Sequence, residues 1–158
     1  MKIEFLPIGI IHTPFMELEG MPIQPPGAAS VKGTVEVFEN FRSGLKDLDG
    51  FSHIILLCHL HRARSHELTV VPYLDDQPRG LFSTRAPSRP NPIGLSVVRL
   101  LSVKGNTLEV ADLDLLDGTP VLDIKPYVGE FDERTDARLG WLQAARDRKK
   151  SADTRFEE

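Results

Sequence analysis

Three carboxylates, Asp114, Asp117 and Asp123, crowd around the turn pair Asp117-Gly118, and Tyr127 follows close behind. Acids so close repel one another, so the cluster needs cations or backbone N–H groups around it, or one member takes up a proton. Such a cluster could face a cationic ligand, although Asp117-Gly118 is also an ordinary turn pair and Asp114 can simply end a strand. A second suggestive stretch is Arg85-Ala-Pro-Ser-Arg89-Pro90-Asn91-Pro92-Ile93-Gly94-Leu95-Ser96. Each proline fixes its own φ and holds the preceding residue extended, so Arg89 and Asn91 sit on stiff backbone as candidate substrate contacts. The planar guanidinium forks of Arg85 and Arg89 suit carboxylate or phosphate. Gly94 supplies either a positive φ or room for a close approach. The pair His59-x-His61 has metal-ligand spacing, but no histidine follows His66 and Cys58 is the sole cysteine, so no metal is expected.

These groups must be positioned by strands. Ile8 to His12, Thr34 to Val37, Phe51 to Leu60, Leu95 to Val103, Thr107 to Leu113 and Val121 to Lys125 are apolar or alternating runs separated by turn signals, the pattern of a mainly β chain whose sheet curls on itself. In the Phe51 to Leu60 run, Ile54, Leu56, Cys58 and Leu60 form one wholly apolar face, which leaves His53, His59 and His61 on the other. Gly105-Asn106 joins two of the runs as a hairpin. Gly20 to Gly27 reads as a Pro/Gly-rich loop. From Asp136 to Lys150, Leu139, Leu142 and Ala145 recur with Trp141 beside them and arginines and lysines around them, which predicts an amphipathic C-terminal helix ahead of a frayed tail.

At 158 residues, with 41% hydrophobic and 27% charged residues, the chain has the size and balance of one globular domain. The N-terminus lacks the basic region and cleavage site of a signal peptide, and no apolar run approaches bilayer-spanning length, so a cytoplasmic protein with no membrane partner is expected. A net charge of −4 argues against indiscriminate nucleic-acid binding. Charge is segregated, however: Gln77 to Leu108 holds no acid but contains Arg79, Arg85, Arg89, Arg99 and Lys104, and a run of acids from Glu109 to Glu133 follows. Phosphate-loop, dinucleotide, zinc-protease and serine-elbow signatures are all missing.

The runs Gly50-Phe51-Ser52-His53, Arg85 to Ser96 and Asp114 to Tyr127 occur in an order and length that resembles the TsaA-like family of TrmO-type tRNA methyltransferases, across roughly Leu6 to Val128. The resemblance implies an all-β or mainly β chain: a small single-domain β-barrel over residues 1–130 with peripheral helices, then a C-terminal helix and tail over residues 131–158. It implies an S-adenosyl-L-methionine-dependent methyltransferase, a homodimer, that methylates N6 of N6-threonylcarbamoyladenosine at position 37 of tRNA. Carried over by position, the cofactor contacts would be Gln24, Pro25 and Gly27 (with Pro26 as an extra proline), His61, Arg62, Arg85, Leu95, and the run Asp114, Leu115, Leu116, Asp117. Any of Asp117, Asp123 and Tyr127 could accept the proton of the attacking nitrogen. Two alternatives stand beside this reading: an enzyme that uses S-adenosylmethionine on a small substrate, and a non-catalytic module that binds it. The acidic total charge favours the first, as does the second domain that longer family members carry beyond this point.

Overall fold

The computed structural model describes residues 1–21 and 30–145. In chain order its strands are β1 (Gly9–His12), β2 (Lys32–Val37), β3 (His53–His59), β4 (Thr69–Val70), β5 (Arg79–Gly80), β6 (Ile93–Lys104), β7 (Thr107–Ala111) and β8 (Pro120–Pro126). Six of them close into an antiparallel barrel in the order β1-β2-β7-β6-β3-β8, with β8 returning to β1, while β4 and β5 form a separate two-stranded ribbon. Closure leaves the six strands with no open edge, so their backbone groups find partners within the ring.

The alternation read from the sequence sets the interior. On β3, Ile54, Leu56 and Cys58 are fully buried, and they lie opposite Val98, Ser96 and Gly94 of β6. Ile11, Val35, Val37, Leu108, Val110, Leu113 and Val121 complete the core from the other strands and the turn after β7. Each such side chain contributes about 1.5–3 kcal/mol by leaving water. The Gly105-Asn106 turn forms as expected, with Lys104 opposite Thr107. Short peripheral helices are present: 3-10 turns at Glu39–Leu45, Leu48–Gly50 and Leu81–Ser83, and an α-helical turn at Gly129–Asp132.

The C-terminal segment departs from expectation. Instead of a helix from Asp136, the described part is a 3-10 turn at Gly140–Ala144, entered through Gly140 at φ 57°. Its bonds run from Leu142 N to the Leu139 carbonyl and from Ala145 N to the Leu142 carbonyl. Leu139, Leu142 and Ala145 are spaced by three, which is the 3-10 period, so the same apolar stripe serves the tighter helix. The basic residues beyond Ala145, and the expected tail, lie outside the described residues.

Candidate active site

β3 ends, β6 begins and the β7–β8 loop crosses at one rim of the barrel. There a cleft of about 750 Å³ opens, inside the usual range for small-molecule sites. The barrel side carries Ser96, Asp114, Leu115 and Leu116; the end of β3 adds Leu60, His61 and Arg62. Tyr73, the segment Phe82 to Arg85, and Trp141 with Leu142 also line it.

The rim is held by backbone chemistry that the sequence foreshadowed. Leu60 N donates to the Pro92 carbonyl at 2.8 Å, which ties the end of β3 to the Pro-rich loop. Of the two options for Gly94, the structure uses close approach: a Cβ there would sit 2.8 Å from Leu60 Cδ2. Inside the loop, Arg89 Nη1 donates to the carbonyls of Thr84 (2.9 Å) and Ala86 (3.2 Å), and Thr84 Oγ1 donates to the Leu81 carbonyl at 2.7 Å. Arg89 therefore folds back on its own loop while still lining the cleft.

Asp114 is the one acid that lines the cleft among the described residues. Its position follows from two local facts. Ala111 ends β7, and Asp112, at φ 66°, turns the chain so that Leu113 is buried below and Asp114 faces the rim. Ser96, on the inward face of β6 and itself buried, donates its hydroxyl to Asp114 Oδ1 at 2.6 Å. Burial pushes the Asp114 carboxyl from 3.8 up to about 6, against the opposing pull of the Ser96 hydrogen bond, its own backbone N–H and the Arg85 charge. The neighbouring Cys58 thiol is pushed up to about 12, mostly by burial and further by the Asp114 charge. At the end of β3, burial and then the charges of His59 and Arg62 lower the His61 pKa. A carboxyl that titrates near neutrality in a cleft is suited to taking and releasing a proton.

The structure gathers His61, Arg62, Arg85, Arg89, Leu95, Asp114, Leu115 and Leu116 around this cleft. It does not bring the remaining described candidates there. Asp117 Oδ1 instead accepts the Thr13 N–H at 3.1 Å, and the Asp117 N–H donates to the Phe15 carbonyl at 2.8 Å, so this side chain pins the segment after β1. Asp123 accepts the Ile124 N–H at 2.9 Å and pairs with Lys125 at 2.8 Å. Tyr127 sets its ring edge-on to His53, with centroids 6.2 Å apart. Asn91 is exposed on the loop, its carbonyl accepting the Ile93 N–H. Gln24, Pro25 and Gly27 lie outside the described residues. Sequence reasoning missed Tyr73, Phe82 and Trp141 as cleft walls; a lone tryptophan beside a glycine was the available signal for the last. Among the described residues no three His, Cys, Asp or Glu side chains converge as a metal site would require.

Residues 10–133 match the family described as the tRNA-methyltransferase O N-terminal domain. Over 139 residues the chain is 58% identical to a probable S-adenosyl-L-methionine-binding protein of Pyrococcus abyssi, covering 88% of this chain and 76% of that one. It is 35% identical to the tRNA (adenine(37)-N6)-methyltransferase of Homo sapiens, over 80% of this chain and 30% of the relative. The crystal structure of TrmO from Pseudomonas aeruginosa superposes with a TM-score of 0.76 at 42% identity, covering 89% of this chain and 63% of that one. The chain thus spans under two thirds of that crystallised protein and under one third of the human relative.

Proposed function

The chain belongs to the tRNA-methyltransferase O N-terminal domain family, and on that footing we propose that it is an S-adenosylmethionine-dependent methyltransferase acting on N6 of adenine 37 in tRNA, with threonylcarbamoyl already on that nitrogen. The observation that carries this reading is the cleft itself: among the described residues, apolar walls around one protonatable carboxylate beside an arginine. The donor set fits the cofactor. Leu95, Leu115 and Leu116 offer apolar contact to its adenine and methylene groups, while the Asp114 carboxylate offers a negative field to its positively charged sulfur. His61 and Arg62 close the β3 side.

S-adenosylmethionine, when bound, supplies a methyl group on a positively charged sulfur. This chain's residues handle the target. The attacking nitrogen is urea-like, with a delocalised lone pair, so loss of its proton assists bond formation. Asp114 accepts that proton as the N–CH3 bond forms, and later releases it to solvent; Ser96 fixes the carboxylate through Oγ. Arg85 is suited to the threonyl carboxylate or an adjacent phosphate. Holding nitrogen and methyl in line contributes up to about 7–11 kcal/mol of barrier lowering.

The same reading includes a cytoplasmic location and a homodimer, with Phe82, Ile93 and Leu95 as the exposed apolar groups at the cleft mouth that a second copy would cover. No helix among the described residues is long and apolar enough to cross a membrane. Light scattering that gives twice the 17.6 kDa chain mass checks the dimer, and a clean, active monomer refutes it. The decisive assay compares methyl incorporation into tRNA from cells able and unable to make the threonylcarbamoyl group. Incorporation only into the former is expected, and equal incorporation into both refutes that substrate. One observation favours a small substrate instead: Arg79 and Arg99 of the basic segment are already paired with Asp75 and Asp112. No incorporation into either tRNA, with turnover of the cofactor on a small acceptor, is the outcome that reading requires.

A further inference from the structure

Two contacts set the Trp141 ring. Its Nε1 donates to the Ser83 carbonyl at 2.8 Å, which sets the ring edge. The Arg79 guanidinium stands 5.6 Å from the ring centroid, and Arg79 is itself held by Asp75, with contacts of 2.8 Å through Nε and 2.7 Å through Nη2. Asp75 lies in the loop that joins β4 to β5 with its side chain largely covered, so the contacts Asp75–Arg79–Trp141 link that loop to the indole. The indole is only half-buried and lines the cleft that Asp114 also lines.

A flat, electron-rich ring, oriented at its edge and backed by a cation, is a surface for stacking another flat π-system. We propose that Trp141 is the stacking wall for a purine base held in this cleft. The inference rests on the methyltransferase reading, in which a purine arrives from two sources: the adenosine of the cofactor and the target nucleoside. Both present the same π-face, and the ring accepts either without reading hydrogen bonds. In that role Trp141 touches the ligand. Arg79 and Asp75 act through it as positioning residues.

Trp141 is the sole tryptophan of the chain, so indole emission reports this one position. Wild-type protein is titrated with S-adenosylhomocysteine in one arm and, in the other, with an anticodon stem-loop that carries N6-threonylcarbamoyladenosine. Calorimetry on the wild type, Trp141→Phe and Trp141→Ala runs in parallel. A saturable change of emission is expected in at least one arm, and that arm identifies which purine is stacked. Trp141→Phe keeps a ring but loses the Nε1 tether, so its affinity should stay within about threefold, whereas Trp141→Ala should weaken binding on the order of tenfold or more. Wild-type emission and the Phe variant decide the matter by themselves should the Ala variant fail to fold. The proposal is overturned by binding seen in calorimetry with no emission change in either arm, or by a folded Ala variant that binds both ligands as the wild type does. Methyl transfer to tRNA without any emission change sinks the stacking wall alone. Emission change without methyl transfer to tRNA leaves the wall standing and sinks the proposed function.

Discussion

Asp114→Asn tests the electrostatics of the cleft without relying on activity. Burial raises the Asp114 carboxyl from 3.8 to about 6 in the folded chain, while the unfolded chain keeps the ordinary value. The native state therefore binds a proton more tightly than the unfolded state between those two values. Stability on this account is greatest below the unfolded value and is lost as pH rises through the folded one. A shift of roughly two units at 1.36 kcal/mol each is worth on the order of 3 kcal/mol, the penalty for keeping this carboxylate charged near neutrality. Asparagine preserves the shape and can still accept the Ser96 hydroxyl at Oδ1 but cannot ionise. Urea unfolding of both proteins across about pH 4 to 7 is the assay, because other titrating groups cancel in the difference between them. The variant's advantage over the wild type should grow by on the order of 3 kcal/mol across that window, or roughly 6–12 °C in Tm for a chain of this size. Parallel pH curves for the two proteins would refute both the burial argument and the choice of Asp114 as the proton acceptor. If the first holds, the wild-type kcat/KM should rise through about pH 6, and the Asn variant should lose about 10²–10⁴-fold in rate while still binding S-adenosylhomocysteine.

Three other perturbations separate scaffold from site. Asp117→Ala should cost about 1–2 kcal/mol by leaving the Thr13 N–H without its acceptor, with S-adenosylhomocysteine affinity changed less than about threefold; a tenfold loss at unchanged stability would put the carboxylate on the ligand. Gly33→Ala would drive a Cβ to 2.4 Å from the His12 carbonyl oxygen and 2.5 Å from Leu113 Cδ1, so a loss of about 2 kcal/mol or more is expected in urea unfolding, and an unchanged midpoint contradicts the β1–β2 approach. Cys58, fully buried with its thiol pushed up to about 12, should react with a thiol reagent at about pH 8 only as fast as the chain unfolds; modification at the rate of a free thiol would show that the wall beside Asp114 is open.

Strands were legible because each carries its burial in a period of two, and Ile54, Leu56 and Cys58 announce their face without help from any partner. The stiffness of the Pro-rich loop was legible for the same reason, since proline acts on its own backbone. Roles that depend on contacts between distant segments were not. The C-terminal stripe read as an α-helix because a spacing of three fits either helix type over so short a run; the bonds of Leu142 and Ala145 to carbonyls three residues back settle it as 3-10. Trp141 meets Ser83 across 58 residues, and no local pattern encodes that meeting.

The carboxylate cluster shows the same limit more sharply. Asp114 and Asp117 are three residues apart, and from sequence Asp117 stands among the expected proton acceptors while Asp114 is expected only as a cofactor contact. Parity counted along β7 does not carry over to the pair, because Asp112, in the left-handed region, resets the chain direction just before it and the buried positions pass from Leu108 and Val110 to Leu113. Folded, one faces an apolar cleft with a serine hydroxyl on it, and the other accepts a backbone N–H next to β1. The distinction matters chemically because the two settings have different dielectric surroundings. Asp114, held beside Leu115 and Leu116 in the cleft, is poised to take a proton and exerts a stronger field on a cation brought beside it, whereas Asp117 is occupied in tying down the segment after β1. A positively charged sulfur close to Asp114 would lower the cost of that burial, so the cofactor that lends the methyl group should itself pull the Asp114 carboxyl back toward its ordinary value. Proton uptake from the target would then be weakest with cofactor bound and strengthen as the methyl group leaves and the positive charge disappears. On the proposed reading, loss of the proton and transfer of the methyl group would then be coupled in the same step.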